Sequence, residues 1–345
     1  MSSPTALKVG VLMDPIGSIN IDKDSTFVLM LEAQQRGFQL LYFTPDDLLL
    51  HDGQVRATVR PVTVRRQRGD HFTLGAAVDL DLSTLDVLLM RQDPPFDMGY
   101  ITATYFLERL SDRVLIINNP AEVRSAPEKL LVTLFPQLCP PTLVTRDPAR
   151  LAAFHAEHED IIIKPLYSCG GEGVFRLTPN APNLGVIVEL YREKFREPFI
   201  AQRYIPEVKA GDKRIILCDG DPIGAVLRAP KDGEHRANFH AGGSAVKTTL
   251  TPREAEICAV IGPELRRRDL VFVGIDVIGP YLTEINVTSP TGLQEINALN
   301  GDCLEAKLWD AILRRQEVYS SHLGSGSGLT GERKNSVSKP LFSLS

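Results

Sequence analysis

Between Phe272 and Thr288 the chain carries three oxygen-bearing side chains, Asp276, Glu284 and Asn286, in a stretch otherwise made of Val, Ile, Leu and Gly. On a strand, side chains two apart share a face, so Glu284 and Asn286 point one way while Ile285 and Val287 point into a core. Asp276 falls on the partner strand across the Gly279-Pro280 turn. Two carboxylates and an amide oxygen gathered in this way are the hard donors that a magnesium ion takes when it also holds nucleotide phosphates. The same alternation also suits a half-exposed hairpin whose polar face meets solvent, and spacing alone leaves both readings open.

A second segment bears on the choice. Ile161 to Ile163 is strongly apolar and ends on Lys164-Pro165, and Gly170, Gly171 and Gly173 follow shortly after. A lysine at the end of such a strand is costly to bury unless an anion meets it, and glycines let backbone N–H groups turn toward that anion. The pattern is neither a Walker A loop nor a dinucleotide GxGxxG, and an ordinary hairpin loop is the competing reading. Further cations are Lys129, Lys213 and Arg214 at the start of one strand, Arg228 at the end of the next, and Arg236 two residues before Asn238. Arginines grouped at a site neutralise phosphoryl oxygens and grip carboxylates through paired donors, although strand-end charges are also ordinary solvated surface. The chain has no GxSxG elbow and no HExxH, and His155 and His158 sit among acidic residues on a helix face that reads as solvated. Cys169, inside the glycine loop, reads as a small filler.

These residues need elements to hold them. Leu7 to Met13 reads as a buried strand, Asp24 or Ser25 caps a helix to Arg36, and Gly37 stops it. Strands follow at Gln39 to Phe43, Val87 to Met90 and Val114 to Ile117, with a helix near Thr102 to Leu110. Alternating strands and helices indicate a mostly parallel, doubly covered sheet. Beyond about Val123 the texture becomes α+β. Hairpins are predicted at Lys213 to Cys218 with Ile223 to Arg228, and at Phe272 to Ile278 with Tyr281 to Val287. Helices are predicted at Pro148 to His158, Leu184 to Lys194, Pro252 to Arg268 and Cys303 to Glu317. The expected organisation is an N-terminal domain over 1–122, a second over 123–318, and a disordered tail over 319–345.

Composition bounds the partners. At 345 residues, 43% apolar and 23% charged, the chain can bury the core of more than one unit. Thirty-eight basic against 43 acidic residues leave a charge of −5 with no long basic block, which argues against nucleic acid. No apolar run approaches the roughly 20 residues of a membrane span. Five scattered cysteines without CxxC spacing and no signal peptide point to a reducing cytoplasm.

Taken together, these segments resemble the prokaryotic glutathione synthetase family of ATP-grasp ligases, from about Leu7 to Arg315. The matching blocks are Val11-Leu-Met-Asp-Pro-Ile, Asn20-Ile-Asp-Lys-Asp-Ser, Leu89-Met-Arg-Gln-Asp-Pro-Pro-Phe-Asp, Ile163-Lys-Pro-Leu, Gly211-Asp-Lys-Arg and Thr283-Glu-Ile-Asn-Val-Thr-Ser-Pro-Thr, in that order. The resemblance implies a Rossmann-like pre-ATP-grasp domain followed by an ATP-grasp fold of two α+β subdomains. It implies ligation of γ-glutamylcysteine to glycine through an acylphosphate, with ATP as co-substrate and Mg2+ or Mn2+ held by Asp276, Glu284 and Asn286. Lys129, Lys164, Lys213 and the glycines Gly170, Gly171 and Gly173 would bind ATP, with the strand from Gln202 through Tyr204 to Ile205 offering backbone partners to adenine. Arg214, Arg228 and Arg236 would neutralise the transferring phosphoryl group. Asp14, Arg91, Asn238 and Ser289 would bind the small-molecule substrates, with Asn286 and Ser289 beside the acceptor. A homo-oligomer is implied, and so is a lid over Ala229 to Gly243. Loss of Asp276 or Glu284 is expected to abolish turnover and leave the fold intact. Ser168 and Ser244 depart from the family pattern, where glycine and arginine are expected. A related ligase with another acceptor and a non-catalytic ATP-binding module are the alternatives.

Overall fold

The chain's first strand, Lys8–Met13 (β1), is buried from Val9 onward, as expected of a strand covered on both faces. We describe it from a computed structural model, which covers residues 6–181, 183–230 and 243–325. Arg236, Asn238 and most of the expected lid lie outside the described residues. After β1, the Asp24 carboxylate accepts the Phe27 N–H at 2.6 Å and starts helix α1 (Ser25–Gln35). Gly37, at φ +81°, turns the chain into β2 (Gln39–Phe43), parallel to β1.

Four strands then form an antiparallel extension: β3 (Leu48–His51), β4 (Gln54–Val64), β5 (Phe72–Leu74) and β6 (Val78–Asp81). The chain returns to the parallel part with β7 (Val87–Arg91), α2 (Met98–Glu108) and β8 (Leu115–Ile117). The sheet runs β3-β4-β2-β1-β7-β8, with β5 and β6 also paired to β4. Helix α2 begins four residues before the predicted Thr102, because Asp97 caps it through the Tyr100 N–H.

Two short helices, α3 (Pro120–Ser125) and α4 (Glu128–Leu131), lead into the second half. There β9 (Thr142–Thr145), α5 (Pro148–His158), β10 (Ile161–Pro165), β11 (Phe175–Leu177), α6 (Leu184–Lys194) and β12 (Phe199–Arg203) make a lobe. Its antiparallel sheet has the order β11-β10-β12-β9. The strand expected over Gln202 to Ile205 therefore lies earlier and stops at Arg203.

A five-stranded antiparallel sheet follows, with β13 (Asp212–Cys218), β14 (Asp221–Ala229), β15 (Ser244–Lys247), β16 (Phe272–Ile278) and β17 (Tyr281–Asn286) in the order β15-β14-β13-β16-β17. Helix α7 (Pro252–Arg267) packs against it, opened by a reciprocal cap between Thr251 and Glu254. Helices α8 (Leu293–Asn300) and α9 (Leu304–Ser325) return to the N-terminal sheet. The fully buried Trp309 pins α9 to α1 by donating to the Leu29 carbonyl at 2.8 Å, and α9 runs past the Glu317 end expected of it. Among the described residues no helix is long and apolar enough to cross a membrane.

One apolar cluster runs from Leu12, Leu88 and Met90 through Val123 and Leu131 to Ile215, Ile275 and Ile285. The N-terminal sheet and the five-stranded sheet thus share a core. The lobe has its own, built on Leu151, Ile161, Ile163, Tyr191 and Phe199. Asn118, just after β8, locks the shared body together: its amide donates to the carbonyls of Phe272 and Val287 at 2.8 Å each and accepts the Phe272 N–H at 2.8 Å. These bonds brace both strands of the β16–β17 hairpin against the N-terminal sheet. Asn118→Ala leaves buried backbone groups unpaired and is expected to cost about 3 kcal/mol. The readout is a lower urea midpoint at unchanged slope; an unshifted midpoint would remove Asn118 from that role.

Candidate active site

The register of the five-stranded sheet decides what meets what. Arg214 on β13 lies opposite Asp276 on β16, and Asp276 lies opposite Glu284 on β17. Asn286 shares Glu284's face two residues on, and its amide nitrogen lies 3.5 Å from the Asp276 carboxylate. The three expected oxygen donors are therefore brought together. On the same face, Asp212 of β13 lies opposite Arg228 of β14 and pairs with it.

Asp276 is the hub. Arg214 grips it with Nε on Oδ1 at 2.5 Å and Nη2 on Oδ2 at 3.0 Å, and Arg228 adds Nη2 on Oδ2 at 3.0 Å. All three side chains are buried. Although burial alone would raise its pKa, the two guanidinium groups hold the Asp276 carboxyl well below the usual carboxylate range, and it stays ionised. Gly274 makes the grip possible: a Cβ there would lie 3.1 Å from Arg214 Nη1 and 3.3 Å from Pro290.

Across from this sheet stands the lobe's β10. Its Lys164 Nζ lies 3.8 Å from Glu284 Oε1, and burial draws the Lys164 pKa down. Lys129, on α4, donates from Nζ to the Ser168 carbonyl at 2.5 Å and so holds the glycine loop. In that loop Gly170, Gly171 and Gly173 have φ of +66°, +81° and +69°, conformations that side chains resist. A Cβ on Gly173 would approach Pro165 to 2.8 Å. Lys129, Lys164, Arg214 and Arg228 thus stand among Glu128, Asp212, Asp276 and Glu284, four cations with four carboxylates, at the cleft between two sheets.

Some expected residues are elsewhere. Lys213, next to Arg214, points to the opposite face by strand alternation, where its ammonium bonds Glu254 Oε2 at 2.7 Å and the Thr249 carbonyl at 2.9 Å. That placement corrects its assignment to the nucleotide. Arg91 is a buried strut: it donates to Thr26 Oγ1 at 3.0 Å and the Pro290 carbonyl at 2.8 Å, and lies over the Phe272 ring. Asp14 accepts the Asp93 N–H at 2.8 Å, and Ser289 donates to the Arg91 carbonyl at 3.4 Å, so both flank that strut. Gln202 lies on an interior strand and its side chain donates to Thr142. Tyr204 N–H donates to the Asp160 carbonyl and Ile205 O accepts from Val208, so these residues leave the sheet at the lobe's edge. Sequence reasoning passed over Asp212 and Glu128; only the pairing of distant strands and of α4 with Thr288 reveals them.

The donor set fits a hard divalent cation. Glu284 keeps 22% of its side chain exposed and has no contact nearer than the 3.8 Å one to Lys164 among the described ion pairs. A carboxylate such as Asp276 has about four lone-pair sites; the arginines take three, and the Asn286 amide nitrogen approaches Oδ2 at 3.5 Å, so Glu284 is the freer carboxylate. Among the described residues there is no group of three or more His, Cys, Asp or Glu side chains arranged to hold a metal by themselves. An ion here therefore draws on the Asn286 amide oxygen and on ligand oxygens, as magnesium does with phosphates.

Two family models match most of the chain: the prokaryotic glutathione synthetase N-terminal domain over residues 7–124 and the prokaryotic glutathione synthetase ATP-grasp domain over residues 128–301. A glutathione synthetase of Brucella melitensis is 54% identical over 311 residues, covering 90% of this chain and 100% of that protein. One from Escherichia coli O157:H7 is 46% identical, covering 90% and 99%. Among solved structures, the D-cycloserine synthetase DcsG superposes with a TM-score of 0.64 at 17% identity, over 89% of this chain and 99% of that one. A Chryseobacterium gregarium RiPP-associated ATP-grasp ligase bound to ADP and peptide gives a TM-score of 0.60 at 16% identity, covering 90% and 97%. These structures share the fold. The chain belongs to the prokaryotic glutathione synthetase family of ATP-dependent ligases.

Proposed function

We propose that this chain joins γ-glutamylcysteine to glycine while ATP becomes ADP and phosphate, using the cleft between the lobe and the five-stranded sheet. The observation that carries this assignment is the row Arg214, Asp276, Glu284 on neighbouring strands, facing Lys164 across the cleft. The cluster is close to neutral as it stands, so a polyanionic nucleotide brings its counter-cation with it. We assign that cation as Mg2+, held by Glu284, Asn286 and Asp276, where it would screen phosphate charge.

Lys164 and Lys129 take phosphate oxygens, and the glycine loop turns its N–H groups to the same phosphates. Tyr204 and Ile205, where β12 leaves the sheet, line the adenine end. Arg214 and Arg228 are pre-aligned by Asp276 and Asp212, so they stabilise the transferring phosphoryl group without reorganising. The dipeptide's terminal carboxylate attacks the γ-phosphorus, and the glycine amine then displaces phosphate from the acylphosphate. Asn286 and Ser289 lie beside the acceptor, with Asp14 and the Arg91 strut shaping the wall on the N-terminal side. Arg236 and Asn238 are assigned to the cover over this cleft, as charge neutraliser and substrate contact. Five free thiols support a reducing compartment, and we infer a cytoplasmic homo-oligomer.

An ADP-release assay tests the reading: γ-glutamylcysteine and glycine together should give sustained ADP formation, and glycine-independent ATP turnover at the same rate would refute it. Glu284→Gln, which disturbs little packing, should lower kcat about 100-fold or more with Tm retained. Asp276→Asn is predicted to lose stability as well as turnover. Removing that charge leaves the buried Arg214 without its carboxylate and Arg228 without one of its two, and should cost about 3–5 kcal/mol of stability besides activity. A urea midpoint equal to that of the parent would show that Asp276 is not the hub.

A further inference from the structure

We propose that Glu128 receives the amino group of the acceptor amino acid and takes one of its protons, a role that rests on the ligase reading above. Glu128 opens α4 at the wall of a small cavity, roughly the space of one water-sized group, lined by Pro94, Phe96, Leu166, Tyr167 and Thr288. Thr288 Oγ1 donates to Glu128 Oε1 at 3.2 Å, and among the described residues that is the one hydrogen bond its carboxylate accepts. Thr288 adjoins Ser289 and lies two residues beyond Asn286, so the cavity borders the acceptor end.

The cations around it are committed elsewhere. Lys129, its chain neighbour, is turned to the Ser168 carbonyl; Lys164 faces Glu284; Arg214 and Arg228 grip Asp276. Glu128 is thus a carboxylate that faces a water-sized space and makes no ion pair among the described residues, and an ammonium group is a cation of that size. Apart from Thr288 and the Cys169 thiol the other walls are apolar and include the stacked rings of Phe96 and Tyr167, 6.1 Å apart, which suits a methylene and disfavours a hydrated metal ion. Burial pushes the Glu128 carboxyl up to about 7, opposed by Lys129 and reinforced by Glu284. A base in that range is matched to relieving an ammonium of its proton at neutral pH.

The step balances. The acceptor enters as –NH3+ and gives one proton to Glu128. The nitrogen lone pair forms the C–N bond to the acylphosphate carbon, and the C–O bond to phosphate breaks with its electron pair on phosphate. A second proton leaves nitrogen with the departing phosphate, and the third remains as the amide N–H. Glu128 then passes its proton to solvent.

Hydroxylamine supplies the test, because it traps an acylphosphate as a hydroxamate without presenting an ammonium to be held. In Glu128→Gln, the ratio of glycine-dependent to hydroxylamine-dependent turnover should fall about 100-fold, with a raised KM for glycine. An unchanged ratio, with both rates falling together or neither, overturns the proposal and moves Glu128 to the nucleotide end or to structure. Thr288→Val, which releases the carboxylate without removing it, is the second variant. A raised glycine KM and a lower ratio support the assignment, and parental values overturn it. If the parent enzyme forms no hydroxamate from γ-glutamylcysteine, the ligase reading itself fails and takes this assignment with it.

Discussion

Asp276 is a carboxylate kept from water between two guanidinium groups, and the geometry of the site follows from that enclosure. A buried charge of either sign is costly when alone, so neither the arginines nor the aspartate could occupy the middle of this sheet without the other. The grip fixes Arg214 and Arg228 before any ligand arrives. It requires Gly274 on the neighbouring strand, because any side chain there would crowd the guanidinium. It also fixes strand register, since a slip of one residue would turn Arg214 toward α7 and replace it with Lys213.

The hairpin that carries Asp276 and Glu284 is itself braced from behind. Asn118 bonds the start of β16 and the end of β17, and Arg91 holds the segment beyond β17 through the Pro290 carbonyl. The N-terminal sheet therefore contributes to the chemistry by stiffness. Asn118 and Arg91 are directed at backbone groups of and just beyond the β16–β17 hairpin, and the shared apolar core makes the two sheets one body.

Much of this was legible in the sequence. Alternation along Thr283 to Thr288 placed Glu284 and Asn286 on one face, and the turn at Gly279-Pro280 put Asp276 opposite. The apolar strand ending at Lys164 was equally plain. Lys213 and Arg214 are harder to tell apart, because adjacency in sequence means opposite faces on a strand and only the register shows which of the pair looks into the cleft. Arg91 reads as a free cation until its partners on Thr26 and Pro290 are seen. Glu128 has no periodic signal in a helix of one turn, and its partner Thr288 is 160 residues away. Helix α2 starts at Met98 because Asp97 caps it, and aspartate is a favoured N-cap type that the sequence does display.

The bond from Lys129 to the Ser168 carbonyl ties α4 to the glycine loop. An ammonium carries three donors, so this contact leaves two protons to spare. The same nitrogen can anchor the loop and still reach a second acceptor, so the two uses need not compete for it.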